Sequence, residues 1–160
     1  MWLYLVLILL VVCFGGVLLF GAPYLPSHKK QAQVALDLLA MKKGQVLYEL
    51  GCGDGSVMIL AAKRGIKSVG YELNPVVFCV AKFRSLRYKN LMDVRYGNFW
   101  SADVSGADGV YVFLLDKFMP KLDKKLSNEL KNGSHLASYT FKIPGKKPFK
   151  EKEGVFLYQY

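Results

Sequence analysis

Apolar residues follow three patterns along this chain. Residues 1–20 are apolar throughout except for Gly15 and Gly16. Next, Val34, Ala35, Leu38 and Leu39 recur at the spacing of one helix face, after Ser27 as a candidate cap, and predict a helix over 27–41. Beyond Gly44, short apolar runs alternate with helical stripes, each bounded by glycine, proline or asparagine.

The runs predict strands over 46–50, 68–72, 93–96, 109–115, 134–141 and 155–160, with a Pro/Gly/Lys loop over 143–153. Helices are predicted over 56–64, stopped by Gly65, and from Asn74-Pro75 to about residue 89, with asparagine as cap and proline at the first helical position. A further helix opens at Met119-Pro120, carries Leu122, Leu126 and Leu130 on one stripe, and ends at Asn132-Gly133. Strands alternating with helices predict an α/β fold, a mostly parallel twisted sheet with helices on both faces.

Charge divides the chain in two. All 22 basic and 12 acidic side chains lie after residue 27. A helix over 3–20 would rise roughly 27 Å, close to the hydrocarbon thickness of a bilayer. No basic residue precedes the run and no small-x-small cleavage site follows it, so residues 1–25 read as a retained transmembrane anchor and 26–160 as the folded domain. Lys29, Lys30, Lys42 and Lys43 follow the span, which places the domain on the cytoplasmic side of the membrane. Three cysteines without framework spacing suit a reducing compartment. The formal charge of +10 reads as solvated helix faces or attraction to anionic headgroups; nucleic acid is not expected, for no recognised module accompanies the charge. His28 and His135 have no neighbours at ligand spacing, so no metal is expected.

The chemistry concentrates at Glu49-Leu50-Gly51-Cys52-Gly53-Asp54-Gly55, between a buried strand and a helix. Closely spaced glycines let the backbone turn sharply and approach a ligand. Glu72 ends the next strand, 21 residues after Gly51, where a doubly wound sheet meets ribose hydroxyls. The spacing G-x-G-x-G departs from the dinucleotide fingerprint, and Glu49 and Asp54 would repel a pyrophosphate. Carboxylates there suit a ligand with an ammonium and a sulfonium, as in S-adenosylmethionine.

Glu49-x-Gly51-x-Gly53-x-Gly55 with Glu72 resembles the signature of class I S-adenosylmethionine-dependent methyltransferases. Gly51 to Gly55, Ala61-Ala62-Lys63-Arg64-Gly65 and Val69-Gly70-Tyr71-Glu72-Leu73-Asn74-Pro75 resemble a narrower group. That group comprises the membrane-anchored lysine N-methyltransferases that modify the ATP synthase c-subunit and the adenine nucleotide translocase. The resemblance implies a Rossmann-like methyltransferase fold acting on a lysine of a membrane-associated protein. It assigns Glu49, Gly51, Cys52, Gly53, Asp54 and Gly55 to the methionine part of the cofactor, Glu72 to its ribose and Asn98 to the adenine edge, with Leu73 and Phe99 alongside. The wider family commonly carries aspartate where Asn98 stands.

Asp116, at the end of a strand, is the candidate proton acceptor or amine-orienting group; the competing reading makes it a helix cap. Trp100, Tyr139 and Phe141 are candidate walls of a lysine channel, or plain core. An Asn-Pro-Pro-Tyr motif is absent after that strand, which disfavours adenine or glutamine side chains as acceptors. The remaining alternatives are a methyltransferase of small molecules or lipids and a non-catalytic nucleoside-binding membrane module.

Overall fold

A computed structural model describes residues 1, 2, 4 and 29–160. The anchor expected over 1–25 and the cap expected at Ser27 lie outside the described residues, apart from those three positions. Among the described residues no helix is long and apolar enough to cross a membrane.

Helix α1 spans Lys29–Leu39, β1 Val46–Leu50, α2 Ser56–Lys63, β2 Lys67–Glu72, α3 Pro75–Ser85, β3 Met92–Tyr96 and β4 Gly109–Val112. After these come α4 Met119–Glu129, β5 His135–Tyr139, β6 Lys150–Lys152 and β7 Val155–Gln159. The seven strands form one sheet in the order β3-β2-β1-β4-β5-β7-β6. The first five are parallel, as the strand–helix alternation predicts, and β7 lies antiparallel between β5 and β6.

Alternation along each strand divides the core. Leu47, Tyr111, Ala137 and Leu157 point to one face and pack against Ala35 and Leu36 of α1 and Val57 and Ala61 of α2. Farther along that face, Met58 of α2 and Ala81 of α3 meet Met92 and Val94 of β3. Leu50, Val110, Val112, Leu136 and Tyr158 fill the other face against Leu122 and Leu126 of α4. These two leucines are one helical turn apart, and the predicted stripe buries both completely.

Several elements end earlier than expected, β5 at Tyr139 and α4 at Glu129 with Leu130 extended, and two expectations differ more deeply. The strand predicted over 109–115 stops at Val112, because its partner β1 ends at the matching residue Leu50 and turns away at Gly51. Apolar Phe113, Leu114 and Leu115 then leave the sheet, with Leu114 still buried in the core. The loop predicted over 143–153 contains β6, an edge strand whose three side chains are all exposed. Glu153 and Gly154, at φ +50° and +77°, form its two-residue turn into β7.

Candidate active site

Chain order along the sheet reverses at β1, whose neighbours are β2 on one side and β4 on the other. Loops leaving the carboxyl ends of β1 and β4 therefore part and leave a crevice, the place where open parallel sheets bind ligands. The carboxyl edge gathers the Gly51–Gly55 turn, Glu72, Asn98, Asp116 and Tyr139, which are scattered over ninety positions of the sequence.

The glycine turn is pinned from beneath. Gly51, Gly53 and Gly55 adopt φ of +88°, +53° and +77°, conformations that side chains rarely tolerate. The N–H groups of Gly51 and Cys52 both donate to the Tyr71 carbonyl at the end of β2, at 3.0 and 2.8 Å. Cys52 is buried against Gly70, where a Cβ would lie 2.4 Å from Met58 Sδ and 2.7 Å from Cys52 Cβ. Only a glycine on β2 lets the turn sit this close. At Gly51 and Gly97, by contrast, an added Cβ would meet nothing within 4 Å, so the backbone there borders open space.

Glu72 staples the turn to the next helix. One carboxylate oxygen accepts from Gly53 N at 2.9 Å and the other from Asn74 N at 2.7 Å. The Asn74 side chain in turn accepts from Val76 and Val77 and caps α3. A carboxylate oxygen carries two lone pairs, so each Glu72 oxygen retains capacity for a hydroxyl donor. Leu73 is half-buried beside it.

Three acids near the turn experience different environments. Glu49 is buried at the end of β1, and its Oε2 has no hydrogen-bond partner. Burial, with the charges of Asp54 and Glu72 nearby, pushes the Glu49 carboxyl well above the usual range. Desolvation, then the neighbouring Glu49 and Glu72, also raise the Cys52 thiol well above its ordinary value, so it stays neutral. Asp54, read from the sequence as a partner of Glu49 in repelling anions, is instead paired with Arg84 of α3 and accepts from Ser56 N and Oγ. Arg84 also donates to the Asp54 carbonyl at 3.0 Å, locking the turn to α3. An orphaned buried carboxylate oxygen beside an open glycine turn fits a cationic ligand, and that preference rests mainly on Glu49.

The opposite wall combines two loops. Asn98 Oδ1 accepts from Trp100 N at 3.0 Å, which opens a short turn over Phe99–Ser101. The carboxamide oxygen is thus engaged, and the Asn98 amide N–H groups are the ones left to donate outward. Phe99 is buried, and Trp100 packs on both Phe99 and Phe118, with ring centroids 4.6 and 6.0 Å apart, bridging the Asn98 loop to the Asp116 loop. Asp116 is exposed and opens a turn over Asp116–Phe118; no side chain caps that turn or α4. The capping alternative for Asp116 therefore has no counterpart in hydrogen bonds.

Of the candidate aromatic walls, Tyr139 lies tilted against Phe113 with ring centroids 4.7 Å apart, whereas Phe141 packs, partly buried, against the core cluster that includes Leu122 and Leu126. Between them Thr140 has φ +74°, and Phe141 N–H donates back to the Tyr139 carbonyl at 3.0 Å. A positive φ inside an i-to-i+2 bond is a strained γ-turn, notable for a β-branched residue. Among the described residues no group of His, Cys, Asp and Glu could hold a metal ion. Gly70, Arg84 and Thr140 are structural determinants of the site that the sequence pattern does not single out. Gly70 is visible as a glycine within an apolar strand, but Arg84 and Thr140 have no local signal.

Comparison with known proteins agrees with this geometry. An "RNA methyltransferase" of Salinibacter ruber, crystallised with S-adenosyl-L-homocysteine, superimposes with a TM-score of 0.78 at 28% identity, covering 85% of this chain and 92% of that one. The lysine N-methyltransferase of the ATP synthase C-subunit from Xenopus laevis is 33% identical over 124 residues, 76% of this chain and 54% of the relative. A "Protein-lysine N-methyltransferase" of Saccharolobus islandicus is 34% identical over 130 residues, 79% of this chain and 81% of the relative. The chain spans about half the length of the vertebrate relatives it matches. Residues 49–150, from the orphaned glutamate to the first residue of β6, match the ANTKMT methyltransferase domain, and the chain belongs to that family.

Proposed function

We propose that this protein is an S-adenosylmethionine-dependent protein-lysine N-methyltransferase working on a substrate held at a membrane. Residues 1–25 would be the single-pass anchor and residues 26–160 the catalytic domain on the cytoplasmic side, in a cellular or organellar membrane. The observation that carries the reading is the buried, unpartnered Glu49 Oε2 beside the open glycine turn. Relatives named for lysine methylation of the ATP synthase C-subunit, together with the uncharged apolar leader, support the choice of substrate.

S-adenosylmethionine, when bound, supplies an electrophilic methyl group on a sulfonium. Glu49 would receive its cationic methionine end, regaining an ionised carboxylate through charge pairing. Gly51, Cys52, Gly53, Asp54 and Gly55 would shape the floor beneath that end. Glu72 would accept from the ribose hydroxyls with its remaining lone pairs, Asn98 would donate to the adenine edge, and Leu73 and Phe99 would flank the base. In-line methyl transfer gains most from positioning and exclusion of water, so few reacting side chains are needed. A lysine, with an unperturbed pKa near 10.4, must lose a proton before attack. Asp116 would orient the amine and take that proton, passing it to water. The Trp100 and Phe118 rings, which already carry the Lys121 and Lys117 ammonium groups over their faces at 4.3 and 4.8 Å, would attract and guide an incoming ammonium before it loses its proton.

A second reading, an RNA substrate, is favoured by the Salinibacter structure and the charge of +10. Incubating the full chain with labelled methyl donor, a membrane fraction and RNA, followed by mass spectrometry, distinguishes them. Methyl-lysine in a membrane protein supports the proposal. Label confined to RNA, lipid or a small molecule replaces the acceptor, and cofactor binding without product points to a non-catalytic module. Glu72→Ala is expected to weaken cofactor binding more than about tenfold. Asp116→Asn is expected to keep binding and slow transfer by about a hundredfold.

A further inference from the structure

Helix α3 has an outer face that no described element covers. Val76, Cys79, Val80 and Phe83 recur at helical spacing and continue into Leu86 on the following turn. Val76 and Val80 are 47% exposed, Phe83 76% and Leu86 63%, in a domain whose other large apolar side chains are mostly buried. An apolar stripe this continuous is a contact surface.

The charge around the stripe identifies what it contacts. Between Glu72 and Asp93 the chain has no acidic residue, and it carries Lys82, Arg84, Arg87 and Lys89. Arg84 is committed to Asp54 and Lys82 Nζ donates to the Val94 carbonyl at 3.1 Å, while Arg87 and Lys89 are exposed. An apolar stripe on a segment whose own charges are all basic matches the headgroup boundary of an anionic bilayer, where apolar side chains enter the acyl region and long basic chains reach the phosphates. The uncharged apolar leader over residues 1–27 belongs to the same chain and is suited to the same phase.

We infer that the outer face of α3 docks onto an anionic bilayer surface. Because α3 begins three residues beyond Glu72 and is joined to the glycine turn through Arg84 and Asp54, docking would hold the carboxyl edge of the sheet close to the membrane. Docking through α3 would fix the attitude of the domain, which an apolar leader alone would leave free to vary, whether or not the acceptor is a lysine.

Cys79 lies on the stripe and is exposed, while Cys52 is buried, so a Cys13→Ser full-length chain can carry a polarity-sensitive fluorophore at Cys79. The chain is reconstituted into phosphatidylcholine vesicles with and without phosphatidylglycerol, and brominated lipids serve as quenchers. Blue-shifted emission, quenched by brominated lipid and requiring phosphatidylglycerol, is the expected result. Val80→Asp with Phe83→Asp should reduce the quenched fraction about tenfold or more. Both side chains face solvent, and an unchanged circular dichroism spectrum verifies the fold. Aqueous, unquenched emission overturns the inference. So does emission that is blue-shifted but insensitive to brominated lipid, which would mean that the leader or a second copy covers the stripe. Neither readout involves methyl transfer, so failure here and failure of the proposed activity are separable.

Discussion

Glu49 carries an internal conflict. Its carboxyl is buried with one oxygen unpartnered, and its proton affinity is raised by desolvation, then by Asp54 and Glu72. A folded-state pKa above the unfolded value means the native protein binds the extra proton. Stability from this group is full below the unfolded pKa and falls as pH rises toward the folded value. Glu49→Gln cannot ionise, so its stability should gain progressively on the wild type as pH rises above the ordinary carboxylate range of about 4.3. The same variant should lose the melting-temperature increase that S-adenosylmethionine confers on the wild type. Scanning calorimetry across pH, with and without the compound, reads both effects; parallel wild-type and variant curves would remove Glu49 from this role. Gly70→Ala tests the neighbouring contact. Its Cβ would overlap Met58 and Cys52, which predicts a loss of about 1–3 kcal/mol by denaturant titration and a weaker cofactor affinity as the turn shifts.

Among the elements, legibility follows burial. β1 is readable because Val46-Leu47-Tyr48-Glu49-Leu50 is nearly continuous apolar chain, and α3 because Asn74-Pro75 states its own cap. β6 is not readable: Lys150-Glu151-Lys152 places no side chain in the core, and it exists because the backbone edge of β7 is available for pairing. β4 reads too long because Phe113 to Leu115 are as apolar as a strand, and only the end of β1 determines where pairing stops. In the site, the glycines and Glu72 are legible from spacing, whereas the Arg84–Asp54 tie joins positions 30 residues apart. The γ-turn closing β5 is hidden too, since a threonine gives no sign of φ +74°. Thr140→Gly is expected to leave the melting temperature equal or higher, because relieved strain offsets the added freedom of the unfolded glycine. Turnover should fall several-fold while cofactor affinity holds, as the turn that aims Tyr139 relaxes. Steady-state kinetics beside a binding titration tests the split, and unchanged turnover would make the strain incidental.

Across the whole molecule, the two ends of the sheet divide the work. The carboxyl edge gathers Glu49, Glu72, Asn98 and Asp116, together with a strained turn and an unpartnered buried oxygen. The amino edge holds well-satisfied closures made by Tyr160. Tyr160 N–H donates to the Ser134 carbonyl at 3.0 Å, and the Tyr160 carbonyl accepts from Gly133 N–H at 2.7 Å. Its hydroxyl donates to Asp123 of α4 at 2.7 Å, while Lys146 reaches the same carboxylate at 3.0 Å and lies over the Tyr160 ring. Burial and Asp123 together push the Tyr160 hydroxyl far above its ordinary range, so it remains a donor at any pH at which the protein functions. Because β7 is inserted between β5 and β6, these bonds join Tyr160 to α4 and to the β5–β6 connection at once. Tyr160→Phe removes the hydroxyl alone and should cost about 1–2 kcal/mol, several degrees of melting temperature for a domain of this size. With the site on the opposite edge, the cofactor dissociation constant and the turnover measured well below the melting point should stay at wild-type values. Glu72→Ala should affect ligand affinity far more strongly than Tyr160→Phe does. Thermal melts and binding titrations on the pair test this division, which fails if Tyr160→Phe weakens cofactor binding as much as Glu72→Ala.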